Sequence, residues 1–310
     1  MFHLVFHIAS NTIPTIGCFD LPLDFVPSLK HNISMNRLST ERRAQILGML
    51  TEGMSLRATT RLAGVSVNTV SKLLVDIGDA CSDYQDRTMR GLSCKRLECD
   101  EIWSFIGAKA KHVQPEHPVD WGDVWTWVAI DADTKLVPAW YIGARTATDA
   151  MEFMTDVARR LDTRAQLTTD GHSSYLVAVD RAFGGDIDYA MLVKIYGQDP
   201  QPDKRYSPAV CLGTERTVIS GDPDPALIST SYIERQNLTM RMAMRRFTRL
   251  TNAFSKKIEN HAAAVALHFM HYNFARPHKS LKNPYPRTPA MAAGVADHVW
   301  TLREIASLLD

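Results

Sequence analysis

Apolar positions first fall into a regular pattern after residue 38, where they follow the 3.6-residue repeat of a helix. Ile46, Leu47 and Leu50 share one face of a predicted first helix. Two further short helices are predicted over about 55 to 63 and about 67 to 77, separated by a tight turn that contains a glycine. Two short helices joined in this way are typical of a helix-turn-helix.

The third predicted helix carries small polar side chains outside its apolar stripe: Asn68, Thr69, Ser71 and Lys72. Side chains of this kind can enter a major groove and bond base edges or phosphates. The sequence G-V-S-x-N-T-V at the turn resembles the helix-turn-helix of bacterial DNA-binding proteins. A plain three-helix bundle that contacts protein is the alternative interpretation.

From residue 97 onward, the helical repeat gives way to runs of branched and aromatic residues that are typical of strands. Strands are predicted over 97–106, 124–130, 136–142, 165–169 and 189–195. One helix is predicted to begin at a capping box formed by Thr146 and Asp149, and a late helix is predicted from about 231 to 249. This order of elements predicts an α/β domain with one mixed sheet.

These elements divide the chain into five predicted parts. They are a leader, disordered or a misassigned start (1–34), the helix-turn-helix module (35–80), a linker (81–96), the α/β domain (97–250) and a basic helical tail (251–310). Within the α/β domain, residues 197–227 are rich in Pro and Asp and lack periodicity, so a loop or an insertion is predicted there.

The charge of the chain is unevenly distributed, although its formal net value is only +1. Residues 235 to 287 contain eleven Lys or Arg against one acid, Glu259. This asymmetry indicates a C-terminal surface that faces a polyanion. A solvated basic face without a partner is the alternative.

Composition argues against a membrane protein and against a disulfide-bonded secreted protein. No run approaches the roughly 18 apolar residues of a membrane span. The five cysteines include no CxxC pair, so reduced thiols in the cytosol are expected. A zinc site is not favoured because the spacing of the candidate ligands is not that of a zinc knuckle: Cys94, Cys99, His112 and His117.

Three acidic residues occupy the positions where α/β sheets collect their functional groups. Asp100 lies in the first predicted strand, Asp170 follows the fourth, and Glu234 is near the start of the late helix. Carboxylate oxygens at such positions suit Mg²⁺, and two such ions promote in-line phosphoryl displacement. Glu101 follows Asp100 on the strand and is expected to point to the opposite face.

The segments around these acids carry a resemblance to a known family. They are residues 99 to 107 (C-D-E-I-W-S-F-I-G), 168 to 171 (T-T-D-G) and 232 to 241 (Y-I-E-R-Q-N-L-T-M-R). They look like the three acidic motifs of DDE transposases, in particular those of short bacterial insertion sequences. Residues 271 to 281 also look like the C-terminal signature of related integrase cores.

The resemblance implies an RNase H-like mixed sheet flanked by helices and preceded by the all-α helix-turn-helix module. It implies that Asp100, Asp170 and Glu234 are catalytic and hold two Mg²⁺ ions, with Mn²⁺ as a possible replacement. Asn237, Arg241 and Arg245 follow Glu234 along one helix face and would orient the DNA strand.

The activity that the resemblance implies is cleavage at the ends of a DNA element and strand transfer to target double-stranded DNA. Two ends must be brought together, so a homo-oligomer on DNA is expected, in the bacterial cytosol or nucleoid and without a membrane. Two alternatives remain open: a decayed or domesticated helix-turn-helix protein without catalysis, and an RNase H-like nuclease that cuts without joining.

Overall fold

In the computed structural model, which describes residues 37–197, 210–248, 252–281 and 284–310, three serine-capped helices come first. They are α1 (Thr40–Thr51), α2 (Leu56–Ala63) and α3 (Val67–Thr88). The hydroxyls of Ser39, Ser55 and Ser66 each accept a hydrogen bond from the backbone N–H three residues later. Gly64 ends α2 with a φ of 60°, a left-handed conformation that glycine adopts without steric cost.

The third helix is twice as long as the sequence pattern suggested. It was expected to end near Ile77, but it continues to Thr88 because its buried stripe extends through Cys81 and Gln85. The predicted linker over 81–96 is therefore wrong in its first half, which is helical. The predicted leader over 1–34 lies outside the described residues.

A mixed sheet forms the centre of the described structure. Its strands are β1 (Arg96–Ile106), β2 (Gly122–Asp131), β3 (Ala139–Gly143), β4 (Gln166–Thr169), β5 (Asp188–Gly197) and β6 (Val210–Ser220). They lie in the order β3-β2-β1-β4-β5-β6, and β2 and β6 run antiparallel to the rest. The predicted class, a mixed α/β sheet preceded by helices, is confirmed.

Helices cover both faces of this sheet. On one face α4 (Ala147–Arg160) and α5 (Ser174–Phe183) pack with Cys99 and Trp127, and α3 joins the same core. On the other face α6 (Ser231–Ala243) and α7 (Ile258–Met270) pack with Ile102. The chain closes with α8 (Pro289–Ala292) and α9 (Leu302–Ser307).

Two C-terminal predictions are corrected by these elements. The stretch 197–227, expected to be a loop or an insertion, contains β6, which pairs with β5; residues 198–209 lie outside the described range. The stretch 251–310 was expected to be a basic helical tail; it does contain helices, but the residues of α7 are mostly buried between α3 and the sheet. Leu38–Asp310 form one compact unit.

Shorter helical turns complete the described chain. They are the 3₁₀ turns Ala110–His112, Pro225–Leu227 and Arg245–Phe247, and the π-helical turn His271–Ala275 that follows α7. The late helix, predicted to reach residue 249, ends at Ala243. None of the helices in the described ranges has the length and apolar content that a bilayer crossing requires.

Candidate active site

Asp100 and Asp170 are brought together by the pairing of two parallel strands. Cys99 of β1 lies opposite Thr169, the last residue of β4. Asp100 follows Cys99 and Asp170 follows Thr169, so the two aspartates lie side by side on adjacent strands. Neighbouring strands are separated by about 4.8 Å, which leaves the two carboxylates within reach of one ion.

Glu98, two residues before Asp100, fixes the start of α6 against the sheet. Its Oε2 accepts hydrogen bonds from the backbone N–H groups of Tyr232, at 2.8 Å, and Ile233, at 2.9 Å. A carboxylate is favourable there because the first N–H groups of a helix lack partners within the helix and carry a partial positive charge. The contact brings Glu234 to the same side of β1 as Asp100.

Both carboxylate oxygens of Asp100 accept hydrogen bonds. Asn237 Nδ2, on α6, donates to Oδ2 at 2.9 Å, and the backbone N–H of Glu101 donates to Oδ1 at 2.8 Å. Burial, followed by the charge of Asp170, raises the pKa of Asp100 to about 6. Local repulsion between carboxylates of this kind is relieved when a cation binds.

Asp170 is held by the backbone that follows it. The backbone N–H of His172 donates to Asp170 Oδ1 at 2.9 Å. The imidazole of His172 stacks on Trp127 with a centroid separation of 5.9 Å, and burial lowers its pKa. His172 therefore supports the loop that carries Asp170.

Glu234 lies one helical turn before Asn237 and is engaged by two other groups. Thr230 Oγ1 donates to its carboxylate at 2.7 Å, and Lys194 Nζ, on β5, lies 2.5 Å from it. Its side chain is 41% exposed, so it faces open solvent more than Asp100 does.

The three predicted acids line a single open cavity of about 740 Å³. Asn237 and Arg241 line it too, as expected for residues that follow Glu234 along one face of α6. Arg245 belongs to the 3₁₀ turn beyond α6 and is not among the described residues that line the cavity.

Glu101 and Arg145 belong to the same cavity, and the sequence pattern did not indicate either of them. Arg145 Nε lies 3.0 Å from Glu101 Oε2, and its Nη2 lies 3.6 Å from Asp170 Oδ2. The guanidinium carbon is 5.0 Å from the ring centroid of Trp125. Burial raises the pKa of Glu101 to about 7, and Tyr175 and then Arg145 act in the opposite direction.

The residues present fit a divalent cation. One ligand oxygen from each of Asp100, Glu101 and Asp170 lies within 4.8 Å of the others. These are hard oxygen donors, the type that Mg²⁺ and Mn²⁺ prefer. Glu101 Oε1 is buried and forms no hydrogen bond with any described residue, so the site contains an acceptor that a cation would satisfy.

The predicted DNA-contacting residues of α3 are placed unequally. Asn68 and Lys72 are exposed, and Lys72 Nζ pairs with Asp76 at 2.8 Å. Thr69 Oγ1 lies 2.9 Å from the capping hydroxyl of Ser66. Ser71 differs from the expectation of an outward position because Asn260 Nδ2, on α7, donates to its hydroxyl at 2.9 Å.

Comparison with known protein sequences finds a similarity to an insertion-element protein. No protein-family model matches the chain. The insertion element iso-IS1n protein InsB of Shigella dysenteriae is 27% identical over 168 residues, which are 54% of this chain and 88% of InsB.

Comparison with solved structures gives weaker similarities, to complexes of the Mos1 transposase. The paired-end complex with the left transposon end is 14% identical at a TM-score of 0.23, over 50% of this chain and 59% of the solved one. The strand transfer complex is also 14% identical at a TM-score of 0.23, over 75% and 77%. The matched part thus spans about three fifths of the paired-end chain. The similarity to InsB confirms the resemblance to transposases of short bacterial insertion sequences that the three acidic motifs indicated.

Proposed function

We propose that this chain is a DNA transposase of the insertion-sequence type. It would cleave a DNA strand at the end of its element and join the freed 3′-hydroxyl to target DNA. The observation that carries the proposal is that Asp100, Asp170 and Glu234, from β1, the end of β4 and the start of α6, line one open cavity. The similarity to an insertion-element protein supports the same function.

In this proposal Asp100, Asp170 and Glu234 hold two Mg²⁺ ions, which Mn²⁺ can replace. When bound, such ions activate the attacking oxygen and stabilise the leaving oxygen of an in-line phosphoryl displacement. The chain's own groups keep the carboxylates in position, because Asn237 and the N–H of Glu101 hold Asp100 and the N–H of His172 holds Asp170. The reaction requires no covalent protein intermediate.

Double-stranded DNA is the proposed partner. Arg241 and Lys194 line the cavity and offer cationic donors to phosphates of the reacting strand, and Arg245 would extend this contact beyond α6. Asn68, Thr69 and Lys72 on α3 would contact the terminal repeats of the element. Because two ends must be brought together, the active form is proposed to be a homo-oligomer on DNA.

The test is a strand-joining assay with purified protein, DNA that carries the ends flanking this gene, and a supercoiled target. Glu234→Gln keeps the size of the side chain and removes its charge, whereas Glu152→Gln makes the same change at an exposed position on α4. We expect Glu234→Gln to lose joining by at least about a hundredfold, the order of loss seen when a preorganised electrostatic contact is removed. Glu152→Gln should join like the wild type.

Three other results would contradict the proposal in different ways. Binding of the ends without cleavage by the wild type, in Mg²⁺ or Mn²⁺, would indicate a non-catalytic DNA-binding protein. Cleavage without joined products would indicate a nuclease. Equal joining by wild type and Glu234→Gln would show that Glu234 is not the third catalytic acid.

A further inference from the structure

Glu101 is the most deeply buried of the carboxylates in the cavity. The residue is 7% exposed, and its side chain is 1% exposed. Because successive strand residues point to opposite faces, Glu101 leaves β1 on the side of α4 and α5, whereas Asp100 leaves it on the side of α6. Their carboxylates nevertheless meet beside Asp170, where one oxygen of each lies within 4.8 Å of the others.

The two oxygens of Glu101 have different surroundings. Oε2 accepts a hydrogen bond from Arg145 Nε at 3.0 Å. Oε1 is buried and forms no hydrogen bond of full distance and angle with a described residue. The buried hydroxyl of Tyr175 lies beside Glu101 and lowers its pKa, so it stabilises the ionised carboxylate only in part. An ionised oxygen without a partner is costly inside a protein, so this position favours a bound cation.

Glu234 is in the opposite situation. Its carboxylate accepts a hydrogen bond from Thr230 and pairs with Lys194. The carboxylate of Glu234 therefore already has two hydrogen-bond donors in the protein without DNA. The acidic cluster within ligand distance consists of Asp100, Glu101 and Asp170, and Glu234 is not part of it.

We propose that the protein without DNA binds a divalent cation through Asp100, Glu101 and Asp170, and that Arg145 neutralises Glu101 and Asp170 when this cation is absent. The proposal rests on the proposed function only for the expectation that Asp100 and Asp170 bind metal. Arg145 and the cation compete, because the guanidinium contacts an oxygen of Glu101 and lies 3.6 Å from an oxygen of Asp170. Removal of Arg145 should therefore strengthen cation binding.

The test measures Mn²⁺ alone. The full chain is titrated with Mn²⁺ at pH 8 without DNA, and free Mn²⁺ is counted by electron paramagnetic resonance. We expect Glu101→Gln to weaken Mn²⁺ binding by at least about tenfold, the size of effect that even an outer-shell partner of a metal ligand has. Arg145→Gln should strengthen binding several-fold, and Glu234→Gln should leave it within about twofold of the wild type.

Two controls keep the result interpretable. Glu152→Gln removes an exposed carboxylate of α4 and should bind Mn²⁺ like the wild type, and thermal unfolding shows whether each variant is folded. Arg145→Gln serves as the independent variant if Glu101→Gln does not fold, because it removes a partly exposed side chain and predicts a gain. Because Arg145 also lies beside Asp170, the gain in Arg145→Gln tests the competition with the cation, and the loss in Glu101→Gln tests Glu101 as a ligand.

The proposal is overturned if folded Glu101→Gln binds Mn²⁺ as tightly as the wild type, or if Arg145→Gln binds it no more tightly. It is also overturned if Glu234→Gln loses the ion. These outcomes are separate from the joining assay. Loss of joining in Glu234→Gln together with unchanged Mn²⁺ binding in Glu101→Gln would retain the proposed function and reject this inference. If Mn²⁺ binding depends on Glu101 but the protein joins no DNA, this inference is retained and the proposed function is rejected.

Discussion

Glu98 caps α6 from a neighbouring strand rather than from the residue before the helix. Thr230, which precedes α6, makes no side-chain capping bond, and the N–H groups of Tyr232 and Ile233 donate to Glu98 instead. Because Glu98 and Asp100 are two residues apart on β1, they share a face of the sheet. One strand thus supplies Asp100, a proposed catalytic acid, and the anchor for the helix that carries Glu234.

The first prediction concerns this anchor. Glu98→Ala leaves two helix N–H groups without acceptors, so we expect the free energy of unfolding to fall by about 1–3 kcal/mol. Amide hydrogen exchange at Tyr232 and Ile233 should accelerate more than exchange in α4. Urea unfolding followed by tryptophan fluorescence gives the first quantity, and Glu98→Gln, which keeps one carbonyl oxygen, should lose less. Wild-type exchange at both amides in Glu98→Ala would show that Glu98 does not anchor α6.

At this scale the sequence indicated the residues of the motifs but not those that support them. Asp100, Asp170 and Glu234 were selected by resemblance, and Asn237 by its spacing from Glu234 along a helix. Glu98 and Glu101 could not be found this way, because their partners come from α6 and from the residues before α4, more than 40 positions away. The alternation of side chains along β1 predicted the face of the sheet on which each glutamate lies, but it could not predict which residues pack against that face.

Among the elements, helices were easier to predict than the sheet edge. The capped starts of α1, α2 and α3 agree with the pattern, because caps and apolar repeats are local signals. β6 was missed because it is an edge strand with large apolar side chains exposed, among them Leu212 and Val218, so no alternation of buried and polar positions marks it. The full length of α3 was missed because its last buried position, Gln85, is polar.

The packing of α3 on α7 gives the second prediction. A Cβ at Gly78 would lie 2.4 Å from both the Cα and the Cβ of Ala263, and its nearest neighbours include the Ala263 backbone. Gly78→Ala should therefore lower the free energy of unfolding by about 1–3 kcal/mol, despite the gain in helix propensity. Gly48→Ala in α1 is the matched control, since its new methyl meets only Leu302 Cδ1, at 3.0 Å.

Urea midpoints of both variants provide the comparison for α3 and α7. We expect Gly48→Ala to remain near the wild type and Gly78→Ala to unfold at lower urea. Combining Gly78→Ala with Ala263→Gly should not restore stability, because the clash includes the backbone of residue 263. Full rescue by the double variant would show that the helices can move apart.

At the scale of the whole molecule, the helical N-terminal part and the sheet share one core. Residues of α1 and α3 belong to the same buried cluster as residues of α4, α5, α7 and α9. At the C-terminus, Asp310 pairs with the buried Arg43 of α1. The separate module and linker suggested by the sequence are thus replaced by one unit, because the long-range packing of α3 on α7 has no local signature.

Two histidines buried in this unit affect its stability as a function of pH. Burial lowers the pKa of His261 and of His268 to about 3, and nearby positive charge adds to the effect. Each imidazole takes up a proton near pH 6.5 in the unfolded chain but not in the folded one, so stability from this source is present above pH 6.5 and is lost as the pH falls. Asp100 and Glu101, whose pKa values are raised, act in the opposite direction.

The third prediction isolates one histidine from these opposing effects. His268 Nε2 has no hydrogen-bond partner among the described residues. His268→Leu therefore removes the titrating ring without breaking a hydrogen bond at Nε2. Between pH 7.5 and pH 5, the difference in unfolding free energy between His268→Leu and the wild type should shift by about 2 kcal/mol in favour of the variant. Urea unfolding at both pH values measures it, with exposed His112→Leu as the control. A difference that does not change with pH would mean that the imidazole of His268 is protonated to the same extent in the folded and unfolded chain.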